Sequence, residues 1–200
     1  MSGILIMGTG GHAKVALDIL LERGENVAGF LDDNPDRIGT TVLGYPVLGD
    51  LANHAPGTPL ILGIGGNLIR KQLFDRFPNA LWVTLVHPSA SVSRFATLGV
   101  GAMICMGACV GPDTVIGRGA VVNTQASVDH DCRIGDFAHV AVGVTIAGGV
   151  TIGEGAMLGA GAAVIPNLEI GGWSVVGAGA AVVKSVPERS RVVGVPARPL

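Results

Sequence analysis

The sequence predicts two regions of different class. Residues 1–86 read as a small Rossmann-like α/β unit, and residues 87–200 as a parallel β-helix of hexapeptide repeats closed by a C-terminal cap. Three observations predict this. A branched aliphatic residue recurs at every sixth position from Val92 to Val182 without a break. The chain before that point alternates short apolar runs, glycine-rich turns and helical patterns. The composition suits thin regular layers, with 32 glycines, 48% hydrophobic residues and only 4% aromatic ones.

The N-terminal elements follow in order. "GILIMGTGGHAKVALDILLERG" reads as a buried strand, a glycine-rich turn and an amphipathic helix ending near Gly24. "VAGFLDDNP" is a second strand ending in two carboxylates, "PLILGIGGN" a third ending at glycines, and "IRKQLFDRF" a second helix. This is a βαβαβ unit with a parallel sheet. Such sheets bind ligands at the carboxyl ends of their strands. Gly8, Gly10 and Gly11 would let the backbone approach phosphates at a helix N-terminus. Asp32 and Asp33 could accept hydrogen bonds from a base or a ribose. "GTGGHA" also fits the dinucleotide pattern, with Asp32 about twenty residues on. The unit is too short for both mononucleotide halves, and a solenoid follows it, which argues against a dehydrogenase.

The repeat comes next. A period of six is neither the 2 of a strand nor the 3.6 of a helix. Short strands joined by tight turns fit it, with the branched residue pointing into the coil. Small residues dominate four places later (Ala102, Ala108, Ala126, Ala138), where the backbone turns. Glycine often follows the branched residue directly (Gly99, Gly111, Gly135, Gly153), and is expected there for φ values that other residues avoid. With three hexads to a triangular coil, the sixteen hexads make roughly five coils. No hexad is interrupted by a long loop. Any site therefore lies on the prism's surface, at a subunit boundary.

Charge and cysteine usage exclude several classes. The net charge is −2 and Lys and Arg are scattered, so no nucleic-acid partner is expected. The three cysteines form no CxxC pair, which argues against a disulfide framework and a zinc site. Cys132 occupies a small inward position and reads as packing. The start of the chain has no basic region of a signal peptide, and no apolar stretch suits a membrane span. A soluble, cytoplasmic protein is expected, with no membrane insertion and no metal.

"ASVDHDCRIGDFAHV" is polar where its surroundings are apolar. In the hexad frame His130 faces outward, flanked by Asp129 and Asp131, and His139 falls near a coil corner. A neutral imidazole is a suitable proton acceptor near pH 7, and a carboxylate on its other nitrogen would fix the tautomer. The spacing leaves open which aspartate does so. His54 and His87 read as loop and connection residues.

Taken in order, "GTGGHAKV", "FLDDN", "GIGGNLIRKQL", "VHPSA", the hexads and the closing "GVPA" resemble the sialic-acid- and bacillosamine-type sugar acetyltransferases over nearly the whole chain. The resemblance implies a left-handed β-helix and a homotrimer with acetyl-CoA between neighbouring prisms. It implies that the α/β unit holds a nucleotide-linked sugar through Gly10, Gly11, His12, Asp32, Asp33 and Gly65. "SVDH" matches the segment carrying the family's base, which implies His130 as base and Asp131 as its partner. Acetyl-CoA is implied along Asn123, His139, Gly148, Ala160 and Ala178, the last standing where the family often has glycine. The implied activity is acetyl-CoA-dependent N-acetylation of a 4-amino-4,6-dideoxy sugar on UDP, or else on GDP or dTDP, for surface glycan or glycoprotein synthesis. The rival readings are an O-acetyltransferase on a sialic-acid-like sugar and a non-catalytic nucleotide-sugar scaffold.

Overall fold

In the computed structural model, which describes residues 3–200, the first apolar run forms β1 (Ile4–Met7), buried in the middle of a sheet. β2 (Val27–Leu31) pairs with it on one side and, farther along the chain, Pro59–Leu62 on the other, both parallel. The sheet is larger than the three expected strands. A hairpin of β3 (Thr41–Val42) and β4 (Tyr45–Gly49) extends it beyond β2. Pro59–Leu62 is then β5, and β6 (Leu81–Trp82) closes the far edge, giving the order β3-β4-β2-β1-β5-β6. The extra strands are short and broken by Pro and Gly, so they carry no clear period.

Helix α1 (Gly11–Glu22) turns Ala13, Ala16, Leu17 and Leu20 inward. These residues share one buried cluster with Leu85, Met103 and Val121 of the solenoid, so α1 is packed between the sheet and the first coils. Helix α2 (Asn67–Arg76) buries Arg70, Leu73 and Phe74. Phe74 stacks on Trp82 at 4.8 Å and meets Phe137 of the solenoid edge-on at 5.3 Å.

The solenoid is a left-handed parallel β-helix. Its strands form three parallel sheets, and pairs such as Met103↔Val121, Cys109↔Ser127 and Val115↔Arg133 step by one coil of three hexads. Ile104, Ile116, Val122 and Val140 point inward and are fully buried, as are Ala102, Ala108, Ala126 and Cys132 at the turning positions. The coil begins one strand earlier than the sequence reading has it: Leu85–Val86 pairs with Met103–Ile104. At the other end, Arg191–Val193 and Arg198–Pro199 pair antiparallel as a cap.

The glycines after the branched residues have a different cause from the expected one. A Cβ on Gly99 would lie 2.6 Å from the backbone nitrogen of Arg118, and one on Gly135 equally close to that of Glu154. They are needed for clearance between successive coils. Positive φ falls two places further on and is shared with side-chain-bearing residues, including Asp113, Asp131, Phe137 and Asn167. Among the described residues, no helix is long and apolar enough to cross a membrane.

Candidate active site

His130 sits at the corner between strands Ser127–Val128 and Arg133–Ile134. The corner is held from inside. The buried Thr114 hydroxyl donates to the Asp129 carbonyl at 2.6 Å and accepts from the Cys132 N–H at 3.1 Å. Asp131 takes the left-handed conformation, φ 58°. Its Oδ2 lies 2.7 Å from His130 Nδ1, while Asp129 Oδ1 accepts the backbone N–H of His130 at 2.8 Å. The two aspartates thus divide the work: Asp131 meets the ring and Asp129 caps the backbone. With Nδ1–H donating to Asp131, Nε2 of this half-exposed ring keeps its lone pair and has no hydrogen-bond partner among the described residues.

The Asp131 hydrogen bond, then the charge of Asp129, raises the His130 pKa above its ordinary value. Gly148 of the next coil lies against this ring, and a Cβ there would come 2.5 Å from His130 Cε1. A cleft of about 430 Å³ opens at this corner, lined by Asp129, His130, Asp131, Gly148, Pro166 and Asn167. The Cys132 thiol points inward and donates to the Ala147 carbonyl at 3.3 Å, with burial raising its pKa. It packs, and it is no nucleophile for this cleft.

The α/β unit brings together a second set. Gly10 and Gly11 need no special φ, and a Cβ at either would meet nothing within 4 Å. Nothing among the described residues requires glycine there; the space above the start of α1 is open to a ligand. Gly10 caps α1 without a side-chain hydrogen bond, leaving the first N–H groups of the helix for an anion.

Asp32 lies beside this turn, accepting from the Thr9 hydroxyl at 2.6 Å and the Asn34 N–H at 2.9 Å. Asp33 accepts from the Leu51 N–H at 3.0 Å and from Arg76 at 2.8 Å. Burial pushes the Asp33 carboxyl up, but these two donors outweigh it and hold it below the usual carboxylate range. Both aspartates already tie loops together, so a ligand meets only their remaining lone pairs.

His139 differs from its expected place. It lies on strand His139–Val140, turned toward the α/β unit, and is buried rather than placed at a corner. Its Nδ1 is 3.3 Å from the Gly65 carbonyl and its Nε2 3.2 Å from Asn123 Nδ2, and it meets the His12 ring edge-on at 5.1 Å. These contacts assign the neutral tautomer with Nδ1–H donating to Gly65. Burial, then the charges of Arg70 and His12, lower the His139 pKa to about 4, against a small opposing effect of the Gly65 carbonyl. Burial and then Arg70 also lower that of His12, whose Nδ1 is buried with no hydrogen-bond partner among the described residues.

Arg70 is the residue that the sequence reading missed. It is fully buried and forms no ion pair among the described residues. It donates to the carbonyls of Gly65 at 2.7 Å, Gly119 at 2.8 Å and Phe137 at 2.7 Å, riveting α2 to two coils. The signal was available: Arg70, Leu73 and Phe74 fall at i, i+3 and i+4, one face of the helix.

The five positions implied for acetyl-CoA fall in two groups on the chain. Gly148 shares the His130 corner. Asn123, Ala160 and Ala178 instead follow strands of the sheet that carries His139. The nucleotide-type turn of the α/β unit lies on that second side as well.

Residues 3–77 match the PglD N-terminal domain family. Over 111 residues the chain is 38% identical to UDP-N-acetylbacillosamine N-acetyltransferase of Bacillus subtilis, covering 52% of this chain and 51% of that protein. The chain thus spans about half the length of that curated relative. Among solved structures, a variant of perosamine N-acetyltransferase from Caulobacter crescentus in complex with CoA and GDP-perosamine is 40% identical, with TM-score 0.93 over 100% of this chain and 97% of that one. The acetyltransferase domain of PglB from Neisseria gonorrhoeae in complex with acetyl coenzyme A is 32% identical, with TM-score 0.92 over 100% and 99%.

Proposed function

The chain belongs to the PglD N-terminal domain family of hexapeptide-repeat sugar N-acetyltransferases, and from that membership we propose that it transfers acetyl from acetyl-CoA to the 4-amino group of a nucleotide-linked 4-amino-4,6-dideoxy sugar. The observation that carries this reading is His130: a half-exposed imidazole lining a cleft, with Nδ1 held by Asp131 and Nε2 without a hydrogen-bond partner among the described residues.

In the proposed reaction, His130 Nε2 takes a proton from the sugar amine as its nitrogen attacks the thioester carbonyl carbon. A C–N bond forms, and the tetrahedral intermediate collapses with cleavage of the C–S bond. The imidazolium returns its proton to the departing thiolate. Asp131 keeps the ring in the useful tautomer and stabilises the imidazolium. Direct transfer of this kind needs orientation and one base, and no covalent acyl-enzyme.

The site is composite. His130 and Gly148 stand on one corner, whereas the α/β pocket, Asn123, His139, Ala160 and Ala178 stand on another side. A homotrimer, with the His130 corner of one protomer facing the α/β side of its neighbour, brings all of them together. Gly10, Gly11 and the start of α1 then hold the diphosphate, with His12 at that same turn. Relatives named for a UDP-sugar and for a GDP-sugar match at comparable identity, so the carrier is UDP or GDP. The product serves surface glycan or glycoprotein assembly in the cytoplasm.

The test is a thiol-release assay. Acetyl-CoA is offered with UDP-, GDP- and dTDP-linked 4-amino sugars, with 4-hydroxy sugars and free sialic acid as controls. Release with one nucleotide amino sugar is expected. In His130→Ala kcat should fall about a thousandfold, while CoA binding measured by calorimetry is retained. Full activity of that variant removes His130 as base, and turnover only with a hydroxy acceptor makes the enzyme an O-acetyltransferase.

A further inference from the structure

A buried cation holds one turn of the α/β unit by its backbone. The turn is Ile64, Gly65 and Gly66, between β5 and α2. Arg70, in the first turn of α2, donates to the Ile64 carbonyl at 3.3 Å and to the Gly65 carbonyl at 2.7 Å. His139 shares the second of these at 3.3 Å. The remaining donors of Arg70 reach the solenoid carbonyls of Gly119 and Phe137, and Asn67 Oδ1 at 3.1 Å. Asn67 Nδ2 in turn donates to the Gly155 and Ala156 carbonyls, one coil higher, at 3.0 and 3.2 Å. The turn is therefore fixed against the solenoid at two levels.

The direction of each peptide follows. In a trans peptide the N–H points to the side opposite the preceding carbonyl. With the Ile64 and Gly65 carbonyls drawn toward Arg70, the N–H groups of Gly65 and Gly66 are turned away from it. Neither has an acceptor among the described residues. This turn lies against the start of α1: a Cβ on Gly65 would come 2.6 Å from His12 Cδ2. β1 and β5, which lead into the two turns, are neighbours in the sheet. The two free donors thus belong to the turn next to Gly10 and Gly11. A planar guanidinium can hold two successive peptides at once, which a single ammonium or an apolar side chain cannot.

We propose that Arg70 is a positioning residue for the nucleotide-linked sugar: it touches no ligand, and it sets the Gly65 and Gly66 N–H groups to donate to the diphosphate. The proposal rests on the nucleotide-sugar reading given above. Donors already aligned cost little to order when the anion arrives, so the loss of their alignment is read in nucleotide affinity.

The test is calorimetry with UDP and GDP, and with CoA as the second ligand, on the wild-type protein and Arg70→Met. Loss of folded protein lowers the stoichiometry and leaves the affinity of the folded remainder, so affinity isolates positioning. Arg70→Met should weaken the tighter-binding diphosphate about tenfold and keep CoA within about threefold. A second pair of variants leaves Arg70 in place. Gly66 has φ −73°, which proline matches, and a Cβ there would meet only the flexible Ile69 side chain, at 3.3 Å. Gly66→Pro removes one of the two donors, and Gly66→Ala adds carbon while keeping it. The proline variant should bind the diphosphate about tenfold more weakly than the alanine variant. Equal affinities in that pair overturn the donor role, and unchanged diphosphate affinity in Arg70→Met overturns the positioning. Equal weakening of diphosphate and CoA in Arg70→Met also overturns it, because the damage is then general. A wild-type protein that binds a diphosphate through Arg70 but acetylates no sugar would refute the enzymatic reading and leave the positioning role standing. A wild-type protein that binds neither diphosphate would refute the positioning role.

Discussion

His130 and His139 lie nine positions apart on the same solenoid, yet their surroundings are opposite. His130 stands on an outer corner between two carboxylates, which favour its protonated form. His139 is sealed under the α/β unit beside Arg70 and a second histidine, which disfavour it. The hexad explains the divergence. His130 falls in a turn, where side chains leave the prism. His139 falls on a strand whose outer face happens to be covered by a second unit. Chemistry that needs a proton acceptor near neutral pH can use the first ring; the second is suited to holding a junction in one neutral hydrogen-bonded state.

The strongest way to break this contrast is to remove the rivet at the junction. Arg70→Met leaves the carbonyls of Gly119 and Phe137 without their side-chain donor and that of Gly65 with His139 alone, and should destabilise the protein by about 3 kcal/mol. Thermal unfolding measures the loss. Hydrogen exchange should place it in α1, α2 and the first coils, with the His130 corner still protected. A uniform loss across all coils would mean that the two regions unfold as one.

The next effect is smaller and depends on pH. The folded pKa of His139, about 4, lies below its ordinary value of 6.5, so the unfolded chain takes up the proton first. Stability is therefore lost as pH falls through about 6.5 and levels off near 4, by about 3 kcal/mol for this ring. In His139→Gln, the difference in melting temperature between pH 7 and pH 4.5 should shrink by the corresponding amount. An unchanged difference would show that the ring is not held neutral.

The finest effect lies at the corner. Asp131→Asn removes the group that raises the His130 pKa most. A base must be deprotonated to act, so activity rises as pH climbs through that pKa. In the variant, the acidic limb of kcat/KM should move to lower pH, with kcat reduced about tenfold. A limb that stays in place assigns the titration to another group.

Much of this was legible from residues alone. The sixfold recurrence from Val92 to Val182 specifies the prism, because only an inward position excludes polar residues so regularly. Its first strand, Leu85–Val86, was hidden because it directly follows the α/β unit and bears no flanking glycine. The glycines at Gly99 and Gly135 could be seen but not explained, since the atoms that crowd them belong to the next coil. Arg70 was visible as an arginine on an apolar helix face, but its acceptors lie on coils far along the chain. The hairpin Thr41–Gly49 went unseen because two-residue pairing leaves no period to read.

By itself, the sequence determined the coil, the inward set and the outward direction of His130, because a local repeat imposes these wherever the chain is placed. The tertiary structure alone decided that Asp131 rather than Asp129 meets the ring, that His139 is sealed, and that the predicted coenzyme positions divide between two sides of the prism. Those outcomes depend on side-chain direction at a corner and on the docking of one unit against another, neither of which is a property of spacing along the chain.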